Sequence, residues 1–176
     1  VYGISMETSV GRRPIKKLTI SDNIIHGFNG ANITYGIKAQ EFIDGEISRN
    51  SIYNSTIVSM WIIASGTNTL IMENNNLNGY GYGPTSKAGI WVEVKSNISN
   101  LVIKSNDMYN ITNALGPTYG VILNSDGAYV VTGEITDNII TGLSTSASEQ
   151  IILDTDLSTS GDIRMEKRAS AAASIS

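Results

Sequence analysis

The sequence predicts an all-β solenoid, a chain wound into stacked rungs of short strands. Three observations carry that prediction: a ten-residue template that occurs five times, a second short element ahead of each copy, and strand formers interleaved with turn formers. The template, read from Leu18–Phe28 (LTISDNIIHGF), is apolar-or-Gly, x, Ile, x, x, Asn, x, apolar, x, Gly-or-Asn. It returns at Gly45–Asn54, Leu70–Gly79, Leu101–Asn110 and Gly133–Gly142. Its asparagines are Asn23, Asn50, Asn75, Asn106 and Asn138, spaced by 27, 25, 31 and 32 residues. A repeat period of about 20 to 50 residues is the mark of a solenoid or array.

The second element reads Tyr2-Gly3-Ile4, Tyr35-Gly36-Ile37, Met60-Trp61-Ile62, Ala88-Gly89-Ile90, Tyr119-Gly120-Val121 and Gln150-Ile151. Each opens a short alternating run, and alternate side chains of a strand share a face. Ile4, Ile37, Ile62, Ile90, Val121 and Ile151 are expected to point inward, with Met6, Ala39, Ala64, Val92, Leu123 and Leu153 beside them. One rung is then a strand, a connection of variable length, a second strand ending near the asparagine, a turn and an apolar return. The asparagine side chain can bond nearby backbone groups at that turn, and stacked copies can bond one another along the axis. A second variable region follows the template at Asn78–Lys87 and Ile111–Thr118, both containing Gly-Pro-Thr.

Composition agrees. The chain has 26 Ile, whose branched Cβ favours strands, and 17 Asn and 17 Gly, which tolerate turns. With 176 residues and a net charge of -4, it has the length of one domain and lacks the basic footprint of a nucleic-acid partner. No apolar run is long enough to span a bilayer, so no membrane insertion is expected. The absence of cysteine excludes disulfides and Cys-based metal sites, one histidine allows no His cluster, and nine-residue Asp-rich calcium repeats are absent, so no cofactor is expected beyond a weakly held cation at Asp154 and Asp156. Residues 1–168 form the repeat region, and 169–176 read as a low-complexity tail or a linker to a further domain. Because the chain opens inside a repeat, it reads as a segment of a longer protein.

Gly-Ile strands alternating with Ile-x-x-Asn-x-Ile resemble the right-handed parallel β-helix of the pectate-lyase-like superfamily, over roughly residues 1–168. The resemblance implies a right-handed, single-stranded parallel β-helix of about six rungs. Short rungs rich in Asn, Ser, Thr and Tyr are most similar to the shaft of a bacteriophage tailspike or tail fibre. That implies a homotrimer in the virion tail, outside the cell, that binds and in some members depolymerises bacterial surface polysaccharide. A catalytic reading makes the chain a glycoside hydrolase or lyase. The alternatives are a non-catalytic trimeric shaft module and a secreted polysaccharide-degrading enzyme.

The outward positions of the Gly-Ile strands are expected to form two columns. The first is Ser5, Lys38, Ile63, Trp91, Ile122 and Ile152, and its apolar members suggest a trimer contact, cover by a loop of the same chain, or a sugar platform at Trp91. The second is Glu7, Gln40, Ser65, Glu93, Asn124 and Asp154. Glu93 and Asp154 stand two rungs apart, about 9–10 Å at the usual interstrand spacing. That approaches the roughly 6.5–9.5 Å between inverting-glycosidase carboxylates, so the two are the candidate catalytic pair, with Asn124 holding a sugar hydroxyl between them. The competing reading is a solvated polar column. Trp61, Tyr80 and Tyr82 join Trp91 as candidate sugar-binding aromatics, since a flat ring offers an apolar face and a polar edge. Packing of these rings against the solenoid is the structural alternative.

Overall fold

The structure, a computed structural model, describes residues 2–7, 13–26, 33–80, 87–110, 118–141, 149–153 and 163–165. The described chain is all strand and turn. The first coil holds β1 (Tyr2–Met6), β2 (Ile15–Ser21) and β3 (Ile24–His26). The second holds β4 (Ile33–Gln40), β5 (Phe42–Ser48) and β6 (Ser51–Tyr53). The third holds β7 (Ser55–Ala64), β8 (Thr69–Glu73) and β9 (Asn76–Tyr80). β10 (Lys87–Val94), β11 (Ile98–Lys104) and β12 (Asp107–Asn110) follow, then β13 (Thr118–Ser125), β14 (Val131–Thr136) and β15 (Ile139–Thr141). β16 (Glu149–Leu153) and β17 (Ile163–Met165) come last. Each strand pairs in parallel with its counterpart one coil away, giving sheets of six, six and five strands. This is a parallel β-helix.

The repeated template aligns in register. Asn23 pairs through its backbone and side chain with Asn50, Asn50 with Asn75, Asn75 with Asn106, and Asn106 with Asn138. At every step the Nδ2 amide donates to the next Oδ1, at 2.9–3.1 Å, and the backbone N–H donates to the same oxygen. From Asn50 onward Nδ2 also donates to a main-chain carbonyl of the preceding coil, at Ile20, Ile47, Met72 and Ile103. The last four asparagines are buried, and these bonds offset the cost of removing their amides from water.

The residue before each asparagine turns the chain with a positive φ: Asp22, Arg49, Asn74, Ser105 and Asp137 lie between 53° and 59°. Left-handed backbone disfavours residues bearing a Cβ and suits glycine. Ser105→Gly is therefore expected to stabilise the fold by up to about 1 kcal/mol, read as a higher urea midpoint with an unchanged m-value.

Inward columns fill the interior. Ile20, Ile47, Met72, Ile103 and Ile135 stack in the second sheet, and Ile25, Ile52, Leu77, Met108 and Ile140 in the third. Where the template places Gly45, the Phe42 ring occupies the space a side chain would take. The glycines ahead of the inward Ile have a similar cause. A Cβ on Gly36 would meet Ile52, and one on Gly89 would meet Met108, both core side chains.

The structure corrects the expected register of the third coil. Met60, not Ile62, pairs with Ile37 and Ile90, while Ile62 pairs with Ala39 and Val92. Ser59 thus takes the glycine position, and its buried hydroxyl bonds that of Ser55 at 3.1 Å. Both registers keep apolar residues inside, because a shift of two residues preserves the face. The outer columns change: Trp61 replaces Ile63 between Lys38 and Trp91, and Ile63 replaces Ser65 between Gln40 and Glu93. His26, the one histidine of the sequence, is the exposed last residue of β3.

The outer face of the third sheet carries two columns of its own. One is Ile24, Ser51, Asn76, Asp107 and Ile139; the other is His26, Tyr53, Asn78, Tyr109 and Thr141.

Candidate functional site

The outer face of the first sheet gathers most of the sequence-derived candidates. Trp61 and Trp91 are register neighbours on β7 and β10, and Glu93 and Asn124 are neighbours on β10 and β13. Each indole reaches diagonally to the polar residue one coil further on. Trp61 Nε1 donates to Glu93 Oε1 at 3.0 Å, and Trp91 Nε1 donates to Asn124 Oδ1 at 2.5 Å. Tyr80 is the last residue of β9, on the third sheet and away from this face. Tyr82, Asp154 and Asp156 lie outside the described residues, as do most of the two Gly-Pro-Thr segments. The pairing of β13 with β16 runs as far as Leu123 opposite Leu153, the residue before Asp154.

The rings form a ladder. Tyr2 stacks on Tyr35 with centroids 5.5 Å apart and planes 14° apart. Tyr35 lies 4.7 Å from Trp61, and Trp61 lies 6.4 Å from Trp91. Lys38 Nζ sits over the Trp61 ring at 4.7 Å and over Tyr2 at 5.4 Å, held also by Glu7. Its side chain is only 12% exposed, so the cation is nearly enclosed by aromatic faces and a carboxylate. The Glu7 hydrogen bond pushes the Lys38 pKa up, and the same contact holds the Glu7 pKa down. Burial pushes the Tyr35 hydroxyl pKa up.

Further along, Lys95 Nζ lies 2.8 Å from Asp126 and 3.9 Å from Glu93. Ile122, expected on an exposed apolar stripe, is buried, and Trp91 is half-buried. Val58 and Ala88 are also buried although they stand outside the interior cluster. The side chains on this face therefore contact one another closely.

Ion pairs between coils recur elsewhere. Arg49 forms a two-pronged pair with Asp22, at 2.8 Å for both contacts, and Lys104 lies 3.5 Å from Glu134. Sequence reasoning missed these pairs, although a signal existed. Asp22 and Arg49 occupy the same template position, immediately before the asparagine, so stacking the templates stacks the charges.

These contacts give a pH dependence. The Lys38 bond lowers the Glu7 pKa, the Arg49 bond lowers that of Asp22, and the Lys95 bond lowers that of Asp126. A carboxylate with a depressed folded-state pKa contributes stability above its unfolded value, and the contribution is lost as pH falls through the folded value. The melting temperature is therefore expected to fall below about pH 4, where unfolded carboxylates begin to protonate. Asp22→Asn should flatten part of that fall, and 1 M salt should shrink it, because the pairs are solvent-exposed.

Among the described residues, a shallow depression of about 150 Å³ lies on the outer face of the second sheet, lined by Lys17, Leu18, Asp44, Gly45, Glu46, Thr69 and Ile71. It is smaller than the roughly 300–1,000 Å³ of small-molecule pockets. Comparison with protein-family models, with curated proteins and with solved structures gives no match.

Proposed function

We propose that the chain is a rigid, non-catalytic shaft segment of a phage tailspike or tail fibre, on the pectate-lyase-like plan that its repeats resemble. The observation that carries this reading is the direction of its polar contacts. The asparagine amides, the indole N–H groups and the ion pairs Lys38–Glu7, Arg49–Asp22, Lys95–Asp126 and Lys104–Glu134 all join one coil to an adjacent one. Such contacts resist separation of the coils along the axis, which is what a load-transmitting rod requires. The rings of the first sheet suit the same role. Trp61 is flanked by Tyr35, Lys38 and Trp91, and its N–H is engaged, so little of its face remains for a sugar.

A second reading, polysaccharide depolymerisation at this face, draws on Glu93. Its side chain is 20% exposed and has Asn124 on the next coil as a polar neighbour. Incubation with capsular polysaccharides, followed by reducing-end release for a hydrolase and ultraviolet absorbance of unsaturated uronate for a lyase, separates the two. The shaft reading expects no product. Product that disappears in Glu93→Gln would replace it with the enzyme.

A further inference from the structure

Both tryptophans of the chain stand in the aromatic ladder of the first sheet, and Tyr35 and Tyr2 continue it. The four rings belong to β10, β7, β4 and β1, strands of four successive coils, so the winding itself brings them into one line. Centroid separations of 6.4, 4.7 and 5.5 Å put each ring beside the next. With no cysteine in the chain, indole and phenol rings are its side chains most readily oxidised by one electron.

The surroundings of the rings differ from end to end. Trp91 Nε1 donates to the Asn124 amide oxygen, a weak base that does not take the proton. Trp61 Nε1 donates to the Glu93 carboxylate, which can. Lys38 Nζ lies over the rings of Trp61 and Tyr2 and opposes positive charge on either. Electron loss from these two rings is therefore tied to proton loss. Tyr35 is half-buried, and burial makes its hydroxyl hold the proton more tightly. Tyr2 is 44% exposed, so water can take its hydroxyl proton.

We propose that the ladder is a path for one-electron oxidation, carrying an oxidising equivalent from Trp91 through Trp61 and Tyr35 to Tyr2. The co-reactant is a small neutral radical such as azidyl. It takes one electron from an indole and becomes its anion. When the electron comes from Trp61, the Nε1 proton crosses the existing hydrogen bond to Glu93 Oε1. When it comes from Trp91, Trp61 refills that ring and reaches the same state. An electron then returns to Trp61 by way of Tyr35, and the proton moves back from Glu93 to Nε1. Tyr2 supplies that electron and releases its hydroxyl proton to water. The net change is one azide ion, one proton and a phenoxyl radical on Tyr2, with both tryptophans as they began. A water-exposed phenol is oxidised more readily than an indole at neutral pH, so transfer runs toward Tyr2. The assignment does not depend on the shaft reading, because it concerns electron transfer along the rings and not the load they bear.

The test is pulse radiolysis of the full chain in azide solution, with the indolyl and phenoxyl absorption bands followed in time. Since both tryptophans are on the ladder, every indolyl radical starts there. The indolyl band is expected to decay into the phenoxyl band at a rate independent of protein concentration. Tyr35→Phe keeps a ring in place but removes an oxidisable step, and should slow that decay by about tenfold or more. Tyr2→Phe should lower the phenoxyl yield, and Tyr109→Phe, on the third sheet, should change neither quantity. Circular-dichroism melts that match wild type would show that the variants fold. The proposal is overturned by indolyl decay whose rate scales with protein concentration, by a decay that Tyr35→Phe leaves unchanged, or by a phenoxyl yield that Tyr2→Phe leaves unchanged.

Discussion

Asn75→Ala is expected to lower the unfolding free energy by about 3–5 kcal/mol, the range of a broken buried hydrogen-bond network. Asn75 is 1% exposed and central in the amide ladder. Its Nδ2 donates to Ile47 O and Asn106 Oδ1, and its Oδ1 accepts from both the backbone N–H and Nδ2 of Asn50. Alanine removes all four bonds and leaves the buried Asn50 N–H without its acceptor. Asn75→Asp keeps the shape but turns the donor into an acceptor facing two other acceptors. Protonation would restore one donor, so the folded-state pKa of that aspartate lies above its unfolded value of about 3.9. A raised folded pKa gives stability that is present at low pH and lost as pH rises through it. The Asp variant should therefore approach wild type in acid and fall furthest behind at neutral pH. Urea unfolding at pH 4 and pH 7 measures both effects, and an Asp variant equally stable at the two values would refute the donor argument.

Gly133→Ala is the second large effect, with an expected loss of about 3–5 kcal/mol from a backbone clash that cannot relax locally. Gly133 adopts φ 147°, a conformation that residues with a Cβ rarely take. A Cβ there would overlap the Leu101 carbonyl oxygen on the neighbouring strand, which is main chain rather than a flexible tip. The pairing of β11 with β14 is already irregular between Ile98 and Leu101, so the glycine sits where the sheet adjusts its register. Gly45→Ala occupies the equivalent template position but would meet the Phe42 ring, a side chain that can turn. It should cost less. The comparison of the two midpoints in urea tests the distinction between backbone and side-chain collision.

The stacking of coils was legible because it depends on strict local rules. A bonding asparagine and apolar side chains two residues apart leave marks at fixed spacing, and those marks place Asn23, Asn50, Asn75, Asn106 and Asn138 in line. The third coil escaped because its marker is degenerate. Ser59 stands where the first, second, fourth and fifth coils have glycine, tolerated through its bond to Ser55, and Met60 fills the place of an isoleucine. A register set on Ile62 puts Ile63, not Trp61, between Lys38 and Trp91. The aromatic ladder and the indole bonds to Glu93 and Asn124 were then invisible, since they depend on which residue lies one coil away. The outer face of the third sheet leaves no such mark for a different reason. Tyr53 and Tyr109 fall at template positions that carry no apolar or turn requirement, so nothing in the periodicity drew attention to them.

The continuous register across the asparagines also makes the length of this protein a modular quantity. Ser51 lies opposite Asn76, so excising Ser51–Asn75, 25 residues, would join Asn50 to a strand that already has the right partner contour. What remains is a shorter rod with the same cross-section. Duplication at the same seam lengthens it, and natural variation in such chains can proceed by gain or loss of entire windings without redesign of the interior.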